Sequence, residues 1–406
     1  MSAPVVWIIS PFSDPSPEAE FDRYRFICAE LTRRGAKVCQ FVSAFDHGRK
    51  CHRTPPLAPW RVVTVSEPGY SRNVSFRRLA SHLVFDSLVI FYLLREMIRG
   101  GRPDVIFSAV PHNGAACVAG ALARISGARF IVDVHDTWPE SLLGVTQLRG
   151  LMRIGYWFWK KVADAALIAA DQVFAESSRY AIRADEVRIA RGKSAARAIL
   201  LGGDLDYYDA ITPAERLPGG LDGARFVVAY AGTLGANYDL DCALEAFSLF
   251  AAEQPGSALL LLGRGEREED LRAAIGRAGI PAWISGRLPH ASLVAHLKRS
   301  HVGLNAFKAG GNIAYSYKLN DYLLSGVPVV NSLPGESADL LSENGIGINY
   351  RAGDPASLLS ALRDARLRWD ANPAWGADVV AFSRRHLDRR TSYDELFRCC
   401  LAGRPE

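Results

Sequence analysis

The chain has 406 residues, 49% of them hydrophobic and 22% charged, with a formal net charge of +5. This is the composition of an ordinary globular protein of about two domains, which excludes a disordered or fibrous chain. No apolar run reaches the ~18 residues of a membrane span, and so mild a net charge gives no argument for nucleic acid.

The N-terminus opens at once on a strand-like run, Val5-Val6-Trp7-Ile8-Ile9, without the basic start and cleavage site of a signal peptide. The seven cysteines form no CxxC, and the adjacent Cys399 and Cys400 suit neither a disulfide nor a zinc site. Both features predict a cytoplasmic protein with reduced thiols.

In the first half, strands are predicted at Val5–Ser10, Lys37–Ser43, Val105–Ser108, Phe130–Val134 and Gln172–Ala175. Helices are predicted over 18–34, 83–100 and 114–126, and residues 44–82 read as one long irregular segment. A breaker-rich linker follows at 201–224. The second half repeats the scheme, with strands at Phe226–Ala231, Ala258–Leu262, Trp283–Ser285, Val302–Asn305, Val327–Asn331 and Gly347–Tyr350. Its helices are predicted over 238–252, 266–277, 291–299, 315–325, 335–343 and 355–365. The alternation implies βαβ units and parallel sheets in an α/β fold. The expected division is 1–200, 201–375 and a helical segment 376–406 that returns to the first domain. Two Rossmann-like, doubly wound domains would place ligands at the carboxyl ends of their strands, in a cleft. Residues 1–200 hold 27 Lys/Arg against 18 Asp/Glu, and residues 201–406 hold 21 against 25, so the two halves should meet different partners.

The loops narrow the ligand. Ser10-Pro11-Phe12-Ser13-Asp14-Pro15 follows the first strand with no GxGxxG, which argues against a nicotinamide site, and no P-loop is present. Gly232-Thr233-Leu234-Gly235 and Gly263-Arg264-Gly265 each follow a strand, as phosphate approaches or as plain turns. In Ala309–Ser332 a Gly-rich loop leads into a helix carrying Lys318 and Asp321, three apart and so on one face. The lysine could hold a diphosphate and the carboxylate a ribose, or the two could form a surface ion pair.

Tyr317-Lys318-Leu319-Asn320-Asp321-Tyr322-Leu323 with Gly326-Val327-Pro328-Val329-Val330 resembles the nucleotide-sugar site of family 4 retaining glycosyltransferases of the GT-B fold. Ala229–Gly235 matches the opening strand and Gly loop of one branch, and His135-Asp136-Thr137-Trp138-Pro139-Glu140 resembles its acceptor-domain loop. Ala170-Asp171-Gln172-Val173 resembles its last acceptor-domain strand. The resemblance spans most of the chain, in order. It implies sugar transfer with retention, UDP-sugar favoured, in cell-surface polysaccharide synthesis, without cofactor or metal.

The resemblance also assigns roles. His135 and Lys318 would be catalytic. Gly232, Thr233, Gly235, Arg264, Arg287, Gly311, Asn312, Asp321 and Glu336 would join Lys318 in binding the donor. Asp136, Trp138 and Glu140 would shape the acceptor mouth; Trp138 could equally be structural, and Glu336 could merely favour its helix dipole. The branch departs from this chain at two places: Ile313 stands where a glutamate is common, and Thr233-Leu234 with Asn237-Tyr238 replaces a common phosphate pair. These gaps keep a non-catalytic sugar-nucleotide binder open as an alternative, and a GT-B epimerase as a further one. Read from their own types, His47, Lys50, Arg53, Tyr70, Asn73, Arg78 and His82 suit acceptor binding or a solvated basic loop. Residues 72–99 combine arginines with the apolar run Leu83–Leu94, which suits either a packed helix or contact with an anionic membrane surface. The acceptor would then be a glycan or a polyprenyl-linked sugar, the protein would sit peripherally on the membrane's inner face, and no nucleic acid is expected.

Overall fold

The computed structural model describes all residues except 1–2, 17–18, 20–21, 55–56, 72–74, 145–148, 311–312, 314 and 404–406. The chain divides into two compact units. The first comprises residues 1–200 with 393–406, the second residues 201–392.

The first unit is built on a seven-stranded sheet. Its strands are β1 (Val5–Ile9), β2 (Lys37–Ser43), β3 (Arg61–Val65), β4 (Val105–Val110), β5 (Arg129–Val134), β6 (Gln172–Ala175) and β7 (Arg197–Ala198), in the order β3-β2-β1-β4-β5-β6-β7. Every pairing is parallel. Strands buried on both faces read as continuous apolar runs, and side chains alternate between two cores. Trp7, Ile9, Ile106, Phe130 and Val132 face one core, shared with α2 (Phe76–Ile98), α3 (Asn113–Ser126), α4 (Leu151–Ala169) and α5 (Ser178–Arg188). Val6, Ile8, Phe107, Ile131 and Phe174 face the other, shared with α1 (Arg23–Arg33) and the last helix of the chain.

The segment 44–82 is less irregular than expected. It contains a short antiparallel hairpin, Phe45–Asp46 with Cys51–His52, and the edge strand β3, whose β-branched Val62-Val63-Thr64-Val65 pairs with β2. Helix α2 also begins earlier than expected, because the Ser75 hydroxyl accepts from the Arg78 N–H and caps it. Helix α1 begins at Arg23, capped by Asp22; the expected start at 18–21 falls largely outside the described residues.

The second unit opens on α6 (Leu205–Ala210). Its parallel sheet holds β8 (Phe226–Ala231), β9 (Ser257–Leu262), β10 (Ala282–Ile284), β11 (Val302–Asn305), β12 (Val329–Asn331) and β13 (Gly347–Asn349), in the order β10-β9-β8-β11-β12-β13. Its helices are α7 (Leu240–Glu253), α8 (Glu268–Ala278), α9 (His290–Leu297), α10 (Tyr317–Leu324), α11 (Glu336–Glu343) and α12 (Pro355–Ala371). The expected return segment 376–406 is split. Helices α13 (Trp375–His386) and α14 (Arg389–Ser392) stay with the second unit. Trp375 is buried in that unit's core, and the Ser383 hydroxyl donates to the Leu323 carbonyl. Only α15 (Asp394–Leu401) joins the first unit, burying Leu396, Phe397 and Cys400 beside α1.

Candidate active site

In the second unit the donor-side features converge on Lys318, in the first turn of α10. Its Nζ donates to the Tyr230 hydroxyl at 2.7 Å, and that hydroxyl donates to the Thr233 carbonyl at 2.7 Å. The ammonium lies 3.5 Å from the Tyr238 ring centroid, 4.1 Å from Tyr230 and 5.1 Å from Phe307. Burial in this aromatic cage pushes its pKa down to about 6. Gly232 follows β8 at φ +137°, where a Cβ would stand 2.5 Å from Lys318 Cε. A glycine there is what lets the lysine cross the strand end. Gly263 and Gly265 are equally constrained, since a Cβ on them would meet the carbonyls of Gly232 and Leu234. Gly235 has no such crowding.

The structure separates the pair that helical spacing had joined. Lys318 turns to the cage, whereas Asp321 Oδ1 accepts from the Tyr208 hydroxyl at 2.6 Å and lies 3.1 Å from His290 Nε2. Arg264 and Arg287 are exposed at the ends of β9 and β10. Glu336 begins α11 behind Gly335. Gly311 and Asn312 lie outside the described residues, while Ile313, where the family often has a glutamate, is 37% exposed.

Spacing did not point to the amide ladder behind this loop. Asn305 Nδ2 donates to Asn331 Oδ1, Asn331 Nδ2 donates to Asn349 Oδ1, and the Ser316 hydroxyl donates to Asn305 Oδ1. It ties the ends of β11, β12 and β13 to the start of α10. The signal was an asparagine closing each of three successive strands.

In the first unit His135 follows β5. Its Nδ1 lies 2.9 Å from Glu176 and its Nε2 3.5 Å from Asp133. Burial alone would lower the imidazole pKa, but the Glu176 charge and the hydrogen bonds to Asp133 and Glu176 outweigh it and lift it to about 9. His135 is therefore an imidazolium at neutral pH. Asp133 is fully buried and accepts from Arg23 Nη2 and the Tyr24 hydroxyl, both at 2.9 Å. Arg23 and Glu176 had carried no expectation, and Asp133 had been given no role although it opens the stretch Asp133–Glu140 that carries the resemblance.

The acceptor-side residues are brought together. Trp138 Nε1 donates to Asp136 at 2.7 Å, and Arg78 stacks over the Trp138 ring at 5.2 Å. Arg78 Nε also approaches His82 Nε2 at 3.5 Å. Asp136, Trp138 and Glu140 line one cavity of about 20 Å³, room for about one water. Glu140 is held within the protein, ion-paired to Arg183 and Lys160. Among the described residues no group of three or more His, Cys, Asp and Glu could hold a metal ion. None of the helices among them is long and apolar enough to cross a membrane.

Residues 23–193 match the family model of the glycosyl transferase 4-like domain. Over the whole chain, the structure is similar to three solved proteins. They are HepE from Anabaena in complex with UDP (16% identity, 97% of this chain and 98% of that one, TM-score 0.64), sucrose-phosphate synthase from Thermosynechococcus elongatus (15%, 98% and 99%, 0.68) and WaaG, a glycosyltransferase involved in lipopolysaccharide biosynthesis (11%, 98% and 100%, 0.63). No curated protein sequence gives a significant match. The fold is GT-B, two Rossmann-like domains in one chain. Residues 23–193 thus carry a glycosyl transferase 4-like domain, in line with the resemblance of the motifs.

Proposed function

We propose that the second unit binds a UDP-sugar through Lys318 and that the sugar passes, with retention, to an acceptor held by the first unit. The observation that carries this is the caged lysine at the N-terminus of α10, beside the Gly232 turn. In the reaction the anomeric C–O bond breaks and its electron pair leaves with the diphosphate. The acceptor oxygen bonds to the same face of the sugar, and its proton passes to the departing phosphate oxygen. Lys318, with Arg264 and the positive dipole end of α10, would neutralise the growing charge without a metal. By the resemblance His135 would lie near the donor sugar, its imidazolium held by Glu176 and Asp133.

The acceptor is a glycan or a polyprenyl-linked sugar in cell-surface polysaccharide synthesis, met at the inner face of the cytoplasmic membrane. Exposed apolar residues on α2 and α4 beside arginines and lysines support the membrane contact.

The test is a melting-temperature panel of UDP, GDP and NAD. A rise with UDP alone, abolished by Lys318→Ala, is expected; a rise that survives the substitution refutes the phosphate assignment. Transfer that persists in EDTA supports metal independence. The exposed Ile313 favours one second reading, a sugar-nucleotide binder, which would show the UDP shift with no transfer over a wide acceptor panel.

A further inference from the structure

In the first unit, the loop after β1, the hairpin and the first half of α2 crowd cations and imidazoles together. The His82 and His112 rings lie 4.5 Å apart, and Phe12 packs on them at 5.6 and 5.0 Å. His47 packs on Phe12 at 5.1 Å. Lys50 Nζ approaches His47 Nδ1 at 3.3 Å, and the Tyr70 ring lies beneath both Lys50 (4.8 Å) and Arg78 (5.7 Å).

This concentration of positive charge works against itself. Burial, then His112, Arg78, His47 and Lys50, hold His82 down to about 2. Burial, then Lys50 and Arg78, hold His47 down to about 4, although Asp46 opposes them. The other acids nearby are engaged: Glu67 accepts from the Ser43 and Ser81 hydroxyls, and Asp86 takes His112 Nδ1 at 2.9 Å. His112 is 2% exposed, and its Nε2, across the ring from Asp86, has no hydrogen-bond partner among the described residues. A buried polar atom of this kind is satisfied when a ligand supplies the partner.

We propose that this cluster binds a phosphoryl group, the phosphate or diphosphate of the acceptor substrate. Only the word acceptor rests on the proposed transfer reaction; the anion site stands on the geometry of the first unit. The Lys50 ammonium, the Arg78 guanidinium and the imidazole N–H groups come from different elements. Phosphoryl oxygens point in several directions and match them better than a planar carboxylate does. A bound dianion also reverses the local potential and lets the imidazoles take up protons. The phosphoryl group could belong to a soluble sugar phosphate or to a lipid-linked diphosphate.

The full chain, labelled with ¹⁵N-histidine, is titrated with inorganic pyrophosphate, the ring signals being assigned by His47→Gln and His82→Gln. A saturable shift of the His47, His82 and His112 signals is expected, with none at His301 in the second unit. Arg78→Gln and Lys50→Gln should each weaken it roughly ten- to a hundredfold. A hexose 1-phosphate, a polyprenyl diphosphate in micelles and the corresponding polyprenol distinguish the sources. Tighter binding of the micellar diphosphate assigns a lipid-linked acceptor, and tighter binding of the sugar ester a soluble one. No shift, equal binding of the polyprenol, or undiminished binding by both variants overturns the proposal. If UDP fails to raise the melting temperature while pyrophosphate still moves these rings, the transferase reading falls and the anion site stands.

Discussion

Lys318 is held where a lysine is costly, since burial favours its neutral form and Tyr230, Tyr238 and Phe307 enclose it. Its pKa falls from 10.5 to about 6, so the unfolded chain binds the extra proton between those values. Stability from this group is complete above pH 10.5 and lost as pH falls towards 6. At pH 7 the lysine therefore destabilises the fold, and Lys318→Met should raise stability by about 1 kcal/mol while abolishing UDP binding. Urea denaturation and UDP titration of one sample check both. A diphosphate needs the ammonium, so UDP binding should take up a proton at pH 7.5 and weaken as pH rises above 6, by up to about tenfold per unit. Calorimetry in buffers of different ionisation enthalpy measures that proton. His135 has the opposite sign. Its raised pKa gives stability that is complete below pH 6.5 and lost through about 9. Activity that needs the imidazolium should share that alkaline limit, and Glu176→Gln should move the limb of the pH–rate profile towards neutrality.

At the scale of elements, α15 shows how far apart in sequence the pieces of one core can be. Phe397 is fully buried and packs on Phe26 of α1, with Leu396 and Cys400 beside it. Phe397→Ala should cost the first unit about 3–5 kcal/mol, read as a lower denaturation midpoint for that unit alone. A helical segment at the C-terminus was expected from the sequence. Its return to the first unit was expected, but where the return begins was not legible, because Trp375, Val379 and Phe382 are just as apolar and pack in the second unit. The same limit held elsewhere. Strands buried on both faces, such as Phe226–Ala231, stood out as apolar runs with turn residues after them. The edge strand Arg61–Val65 did not, since two of its five residues, Arg61 and Thr64, are polar and only Val65 is fully buried. Lys318 was recognisable from its motif and the Gly loop. Its cage was not, because Tyr230, Tyr238 and Phe307 come from three places that only the sheet order brings together. Helical spacing put Asp321 beside Lys318, but Tyr208 and His290 offered the carboxylate better hydrogen bonds.

For the whole molecule, charge and exposed apolar surface are divided in the same way. The first unit holds 29 Lys/Arg against 21 Asp/Glu and the second 19 against 22. Fifteen of the nineteen exposed large hydrophobic residues among those described also belong to the first unit. Helix α2 explains part of this. Phe85, Val89 and Leu93 fill the core, while Leu83, Ile90, Phe91, Leu94 and Ile98 form a second apolar stripe turned outward. Helix α4 adds Ile154, Trp157 and Phe158, with Arg153 and Lys161 exposed among them. Both helices pack against α3, so the two stripes lie on the same face of the sheet. Apolar side chains mixed with cations suit the boundary of an anionic bilayer, where each Lys or Arg near the surface contributes about 1 kcal/mol. The full chain should therefore float with vesicles containing anionic lipid at low salt and release as salt shortens the Debye length. Paired Trp157→Ser and Phe158→Ser should weaken flotation at every salt concentration, because they remove the apolar part of the contact. Arg153→Gln with Lys161→Gln should instead flatten the salt dependence. Neither pair touches the Lys318 cage, so the UDP-induced rise in melting temperature should be unchanged in both. Equal flotation with neutral and anionic vesicles, or none with either, would refute the membrane contact.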